Sequence, residues 1–134
     1  MNLGRILLAA LVGTITYYVV GFFVFGLAFR SAYEPYRSVY RHQEATMRLM
    51  PIGMIGTFIA ITMMATIFAR FMRTGGIGDG AFLGVLFGIF AASALVGENF
   101  VTLPIGGKLA AFQAIGAIVA WTIVGSVVGL IYKQ

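Results

Sequence analysis

Charged residues are so sparse in this chain that the gaps between them set its architecture. Between Arg5 and Arg30, Arg48 and Arg70, Asp79 and Glu98, and Lys108 and Lys133 lie uncharged stretches of 24, 21, 18 and 24 residues. A helix rises about 1.5 Å per residue and the hydrocarbon core of a bilayer is about 30 Å thick, so roughly 20 apolar residues cross it. Each stretch is therefore expected to be a spanning helix, at about 6–29, 51–71, 80–100 and 109–132. The predicted fold class is all-α, an integral membrane four-helix bundle forming one transmembrane domain over residues 1–134.

The links between the stretches carry their own patterns. From about 36 to 49, apolar Tyr36, Val39, Tyr40 and Met47 recur at helical spacing while Arg37, Arg41, Glu44 and Arg48 hold the opposite side. This predicts a short amphipathic helix lying on the membrane surface, with Tyr36, Arg37, Tyr40, Arg41 and Arg48 at the interface. Pro35 separates it from span one, and Pro51 is placed in the first turn of span two. Gly75, Gly76, Gly78 and Gly80 surround Ile77 and Asp79, a turn composition that predicts a close hairpin of spans two and three. Pro104, Gly106 and Gly107 mark the last link.

Composition adds to this picture. Hydrophobic residues make up 60% of the chain and charged residues 10%, and the mean hydropathy is +0.99, values that exclude an ordinary water-soluble domain. The first stretch has the charge ahead of it that a signal peptide has, but a cleavable apolar region is about 7–15 residues long. It is expected to be a retained span. Cysteine is absent, which removes disulfides, thiol nucleophiles and thiolate-held metals. The net charge of +5 fits anchoring to anionic lipid and implies no nucleic acid. With four spans both termini share one side, where Arg5, Arg70, Arg73 and Lys133 face Arg30, Arg37, Arg41, Arg48 and Lys108 across the membrane. This balance does not set an orientation.

Lipid supplies no hydrophobic force between helices, so small residues at every fourth position, which let backbones approach, are the packing signal. Span three carries Gly80, Gly84, Gly88 and Ala92, and span four carries Gly116, Ala120, Gly125 and Gly129. These predict a core of span three against span four, with spans one and two outside. Gly56 and Ala60 form a smaller ridge on span two.

Few residues can carry chemistry. An acid at mid-membrane costs about 2.5–3.5 kcal/mol, so Glu98, followed by Asn99 and Thr102, is the leading candidate for an intramembrane polar site. If span three continues past Gly97, Glu98 lies in the membrane and Gln113 faces it across the hairpin; if the span stops there, Glu98 is a wet cap. Tyr17 and Tyr18, with Thr14 and Thr16, either line a cavity with Thr57, Thr62 and Thr66 or satisfy their hydroxyls within their own helices. Trp121, mid-span, is expected to pack against other helices. His42 lies outside the spans and is read as solvated. No catalytic residue set, cofactor site or metal site is expected, and the chain is not expected to be an enzyme.

The run Gly80-Ala81-Phe82-Leu83-Gly84-Val85-Leu86-Phe87-Gly88, then Glu98-Asn99, Pro104 and an Ala- and Gly-rich last span ending at Gly129-Leu130-Ile131-Tyr132, resembles small four-span bacterial membrane families known only as domains of unknown function. The resemblance implies architecture and no activity. Tyr17-Tyr18 stands where some of them have a tryptophan-tyrosine pair. The expected role is a non-catalytic accessory or structural subunit of a membrane complex, or a homo-oligomer, in the bacterial inner membrane, its partners being lipid and other membrane subunits or itself. The competing reading is a small dimeric proton- or cation-linked transporter or channel that uses Glu98.

Overall fold

The computed structural model describes residues 1–72 and 74–133; Arg73, counted above with the terminal-side cations, lies outside them. Four helices, Leu3–Ala28, Gln43–Phe71, Ile77–Thr102 and Gly107–Ile131, are each long and apolar enough to cross a membrane. Among the described residues the only regular structure is helical. The four-span, all-α architecture read from the charge gaps is therefore the architecture of the molecule, a small multi-pass membrane protein.

The sequence explains the helix boundaries. Asn2 caps span one, its side chain accepting the Arg5 backbone N–H at 3.1 Å. The turn into span three uses Gly75 and Gly76 at φ +65° and +112°, a region open to glycine and costly for other residues. Thr74 there donates its hydroxyl to the Asp79 carboxylate. Outward positions are apolar: Leu3, Leu7, Leu11, Ile15 and Val19, four apart, are all exposed along one ridge of span one, the surface that lipid solvates.

The separate surface helix expected over 36–49 is not formed. Its second half belongs to span two, which runs unbroken from Gln43 with Pro51 inside the helix rather than in its first turn. Its first half is a one-turn 3₁₀ segment, Glu34–Tyr36, with Pro35 in the leading turn, followed by irregular chain to His42. The proline withholds an N–H that a longer helix here would need, and Pro51 is tolerated because a spanning helix has little alternative to staying wound.

Spans three and four meet backbone to backbone. A Cβ built on Gly84 would lie 2.8 Å from the Thr122 Cα, one on Gly88 2.6 Å from the Ile118 Cα, and one on Gly80 2.9 Å from the Gly129 Cα. Gly125 and Gly129 answer from the other side, against Gly84 and Gly80. Gly116 and Ala120 do not join this seam in the same way: Gly116 seats the Phe25 ring of span one, and Ala120 is fully buried. Ala92 is half-buried beside the seam.

The core is wider than a three-against-four pair. Ile6, Ala9 and Ala10 of span one, Ile61, Met64, Ala65 and Phe68 of span two, Leu83 of span three and Val124 and Val128 of span four form one buried cluster. Span four is its hub. At the terminal side the ring is tied shut, the Asn2 N–H donating to the Tyr132 hydroxyl at 3.0 Å and Arg5 to the Lys133 carbonyl at 2.5 Å. Span two is different in its first half, where every residue from Thr46 to Gly56 is exposed.

Because the Gly84 contact is with backbone, which has no rotamer to yield, Gly84→Val is expected to destabilise the protein by about 3 kcal/mol or more in detergent. Gly78→Val, at a position with open space around it, is expected to change stability by no more than about 0.5 kcal/mol. Thermal melts followed by circular dichroism separate the two.

Candidate functional site

The polar centre of the molecule is Gln113, early in span four. Its side-chain Nε2 donates to the Tyr33 hydroxyl at 3.2 Å and to the Tyr40 hydroxyl at 3.0 Å. Its Oε1 is buried and has no hydrogen-bond partner among the described residues. A buried acceptor without a partner costs about 1–3 kcal/mol.

The tyrosines reach Gln113 because of how the first link is built. Tyr33 ends a short helix, Arg30–Tyr33, and Tyr40 follows the 3₁₀ turn; their rings lie 5.5 Å apart and tilted. Tyr36 turns inward too, its hydroxyl accepting the Gly106 N–H at 3.0 Å where span four begins. Tyr36 and Tyr40, expected at the membrane surface, also clamp the link onto span four. Arg37, Arg41 and Arg48 are exposed, and Arg37 pairs with Glu34 at 2.6 Å, an exposed contact worth under about 1 kcal/mol. Burial raises the Tyr33 pKa above its ordinary value; the hydrogen bond from Gln113 pulls it partly back and Tyr40 adds a smaller upward push.

Beside Gln113 a cleft of about 240 Å³ opens between spans one, three and four. Tyr17, Phe25, Tyr33 and Trp121 give it aromatic walls, and Asn99 and Gln113 give it amides. Trp121 packs 5.3 Å from Tyr17 and 5.8 Å from Phe87, ring centre to ring centre, so it meets other spans as expected of a mid-span tryptophan. It also borders the cleft. Two segments of wide π-helical turn, Phe22–Ala28 and Ala91–Val96, contribute to the walls. In the first, the Phe29 N–H reaches back five residues to the Val24 carbonyl at 2.9 Å.

Of the grouping expected around Glu98, Tyr17, Asn99 and Gln113 meet at the cleft, and Glu98, Thr102 and Tyr18 do not line it. Span three does continue to Thr102, so the helix does not stop at Gly97. Glu98, however, is exposed and has no ion-pair partner among the described residues, and Thr102 spends its hydroxyl on the Glu98 backbone carbonyl at 2.9 Å. Gln113 faces the tyrosines and not Glu98. The wide turn at 91–96 re-phases the helix beyond it, and Asn99 rather than Glu98 borders the cleft.

The hydroxyl cavity shared by spans one and two is not formed either. Thr14, Thr16, Thr62 and Thr66 each donate to the carbonyl four residues back, at 2.7–2.8 Å. This satisfies them inside their own helices. Tyr17 and Tyr18 sit edge to face at 5.7 Å and part company: Tyr17 enters the cleft, and the Tyr18 hydroxyl lies by Gly53 of span two. Sequence reasoning missed Tyr33 altogether. The available signal was Gln113, a neutral amide one turn inside a span, which needs partners from the link on its own side of the membrane.

The family model for a protein of unknown function (DUF1761) matches residues 8–129, and the chain belongs to that family. No curated protein and no solved structure matches it.

Since the Gln113 hydrogen bond lowers the Tyr33 pKa, Gln113→Leu is expected to move the Tyr33 titration to higher pH. The phenolate absorbance, taken as a difference against Tyr33→Phe, reads it. The folded-state pKa is raised above the unfolded value near 10, so the Tyr33 contribution leaves stability unchanged below about pH 10 and subtracts from it as the pH climbs further.

Proposed function

We propose that this member of the family is a non-catalytic accessory or structural protein of a bacterial plasma membrane, working by packing against a second copy or another membrane subunit. The observation that carries this reading is the open half of span two. Residues 46–56 are exposed throughout, and Gly56 has nothing within 4 Å of where its Cβ would be. Gly56 thus lies on a stretch that the chain itself leaves uncovered, with the half-buried Ala60 one turn further on. The glycines of spans three and four are consumed within the chain, whereas Gly56 leaves room for a partner helix to approach.

The transport reading through Glu98 has one supporting observation, the helical continuation of span three to Thr102. It lacks a polar route: the threonines are satisfied within their helices and Gln113 is held by tyrosines. Glu98→Gln is accordingly expected to leave ion flux in proteoliposomes unchanged; a lost flux would restore that reading.

Gly56→Leu is expected to reduce the wild-type assembly to the 14.4 kDa chain in light-scattering chromatography, with the melting temperature unchanged. Wild-type protein that leaves native membranes as a lone monomer would overturn the proposal.

A further inference from the structure

Where the first link enters span two, a recess of about 520 Å³ is lined by Arg37, Ser38, Arg41, His42 and Gln43. No Asp or Glu lines it. Arg37 gives one nitrogen to Glu34 at 2.6 Å and keeps other N–H donors of its guanidinium for a second acceptor. The side chains of Ser38, Arg41, His42 and Gln43 make no hydrogen bond or ion pair among the described residues. Two guanidinium groups, a hydroxyl, an imidazole and an amide thus border one space that offers them no acceptor. Phosphate oxygens suit such a set, since a guanidinium holds them two at a time.

The depth of the recess points to a lipid as the carrier of that phosphate. Span two has 29 residues, roughly 44 Å of helix, and the hydrocarbon core is about 30 Å thick. Its uncharged part lies between Arg48 and Arg70, so residues 43–48 stand in the headgroup layer with the recess at their start. Further along the helix Met47, Met50 and Met54 are exposed, an apolar strip for acyl chains to lie against.

We propose that this recess binds the headgroup of an anionic phosphoglyceride, its phosphate held by Arg37 and Arg41 and its acyl chains lying along the exposed start of span two. A zwitterionic phospholipid carries a cation of its own into a space already bordered by two arginines, and the like charges repel. An anionic headgroup brings no such cation. The site goes beyond the packing role above, and Gln43 lies roughly 20 Å along the helix from Gly56, so either reading can fail without the other.

The probe is dioleoylphosphatidylglycerol, titrated into the purified full-length protein in an uncharged maltoside detergent and counted as bound adduct by native mass spectrometry; dioleoylphosphatidylcholine is the reference. An uncharged micelle has no surface potential, so direct contact alone is read. Phosphatidylglycerol is expected to saturate at one per chain, with the reference needing roughly tenfold more. Arg41→Gln should weaken it tenfold or more, the loss of a charge-assisted hydrogen bond. Arg30→Gln removes the same charge outside the recess and should change it less than twofold. Both arginines are exposed, so neither change burdens the fold. Gly56→Leu should keep the wild-type affinity, whatever it does to assembly. Glycerophosphoglycerol, the same headgroup without tails, should need at least a hundredfold molar excess to displace the lipid; displacement at a lower excess would make the ligand a soluble phosphate ester and overturn the lipid site. Equal retention of the two lipids, equal losses in Arg30→Gln and Arg41→Gln, or a loss in Gly56→Leu as large as that in Arg41→Gln would each overturn it as well.

Discussion

Direct backbone contact between the third and fourth spans is the constraint on which the rest of the molecule hangs. A bilayer gives helices no hydrophobic reason to associate, so van der Waals contact at close range has to do so. Gly80, Gly84 and Gly88 on one helix and Gly125 and Gly129 on the other remove every side chain that would hold the axes apart. With that pair fixed, the remaining surface of span four is left for larger residues. Gly116 accepts the Phe25 ring, and Val124 and Val128 meet Ile61, Met64 and Phe68. Span four thereby becomes the post for spans one and three, and span two leans chiefly on span one.

The same arrangement creates the cleft. Spans one and three both lie against span four without closing over it, and the wide turns at 22–28 and 91–96 widen the space between them. Most polar groups in the membrane have been dealt with locally, hydroxyl to carbonyl within a single helix. Gln113 cannot be treated this way because its amide carries both donors and an acceptor. The link tyrosines take the donors and leave the buried acceptor without a partner among the described residues.

Much of the fold was legible in the sequence because its strongest signals are global. Four charge-free stretches of spanning length leave little choice of class, and glycines at fourfold spacing mark the seam. The link between spans one and two was misread for a local reason. Its tyrosines and arginines alternate at helical spacing, but the spacing cannot say that Pro35 and the residues up to His42 break the helix, or that the second half belongs to span two. Periodicity puts Tyr36 and Tyr40 on one side of the link and does not tell that their hydroxyls serve the start of span four. Glu98 drew attention because a charge in apolar sequence is conspicuous; its surroundings depend on a π-helical turn that no residue pattern announces. The site was readable in part through Gln113, and its partners only through the topology that folds the link back.

The Asn2–Tyr132 and Arg5–Lys133 bonds fasten the two ends of the described chain together on one face of the bundle. Anything joined beyond either end, whether a reporter, an affinity handle or a further domain, leaves from the same side of the bilayer and from neighbouring points. A short linker there would close the chain into a ring without crossing lipid, and fresh ends could then be opened at the Gly75–Gly76 turn.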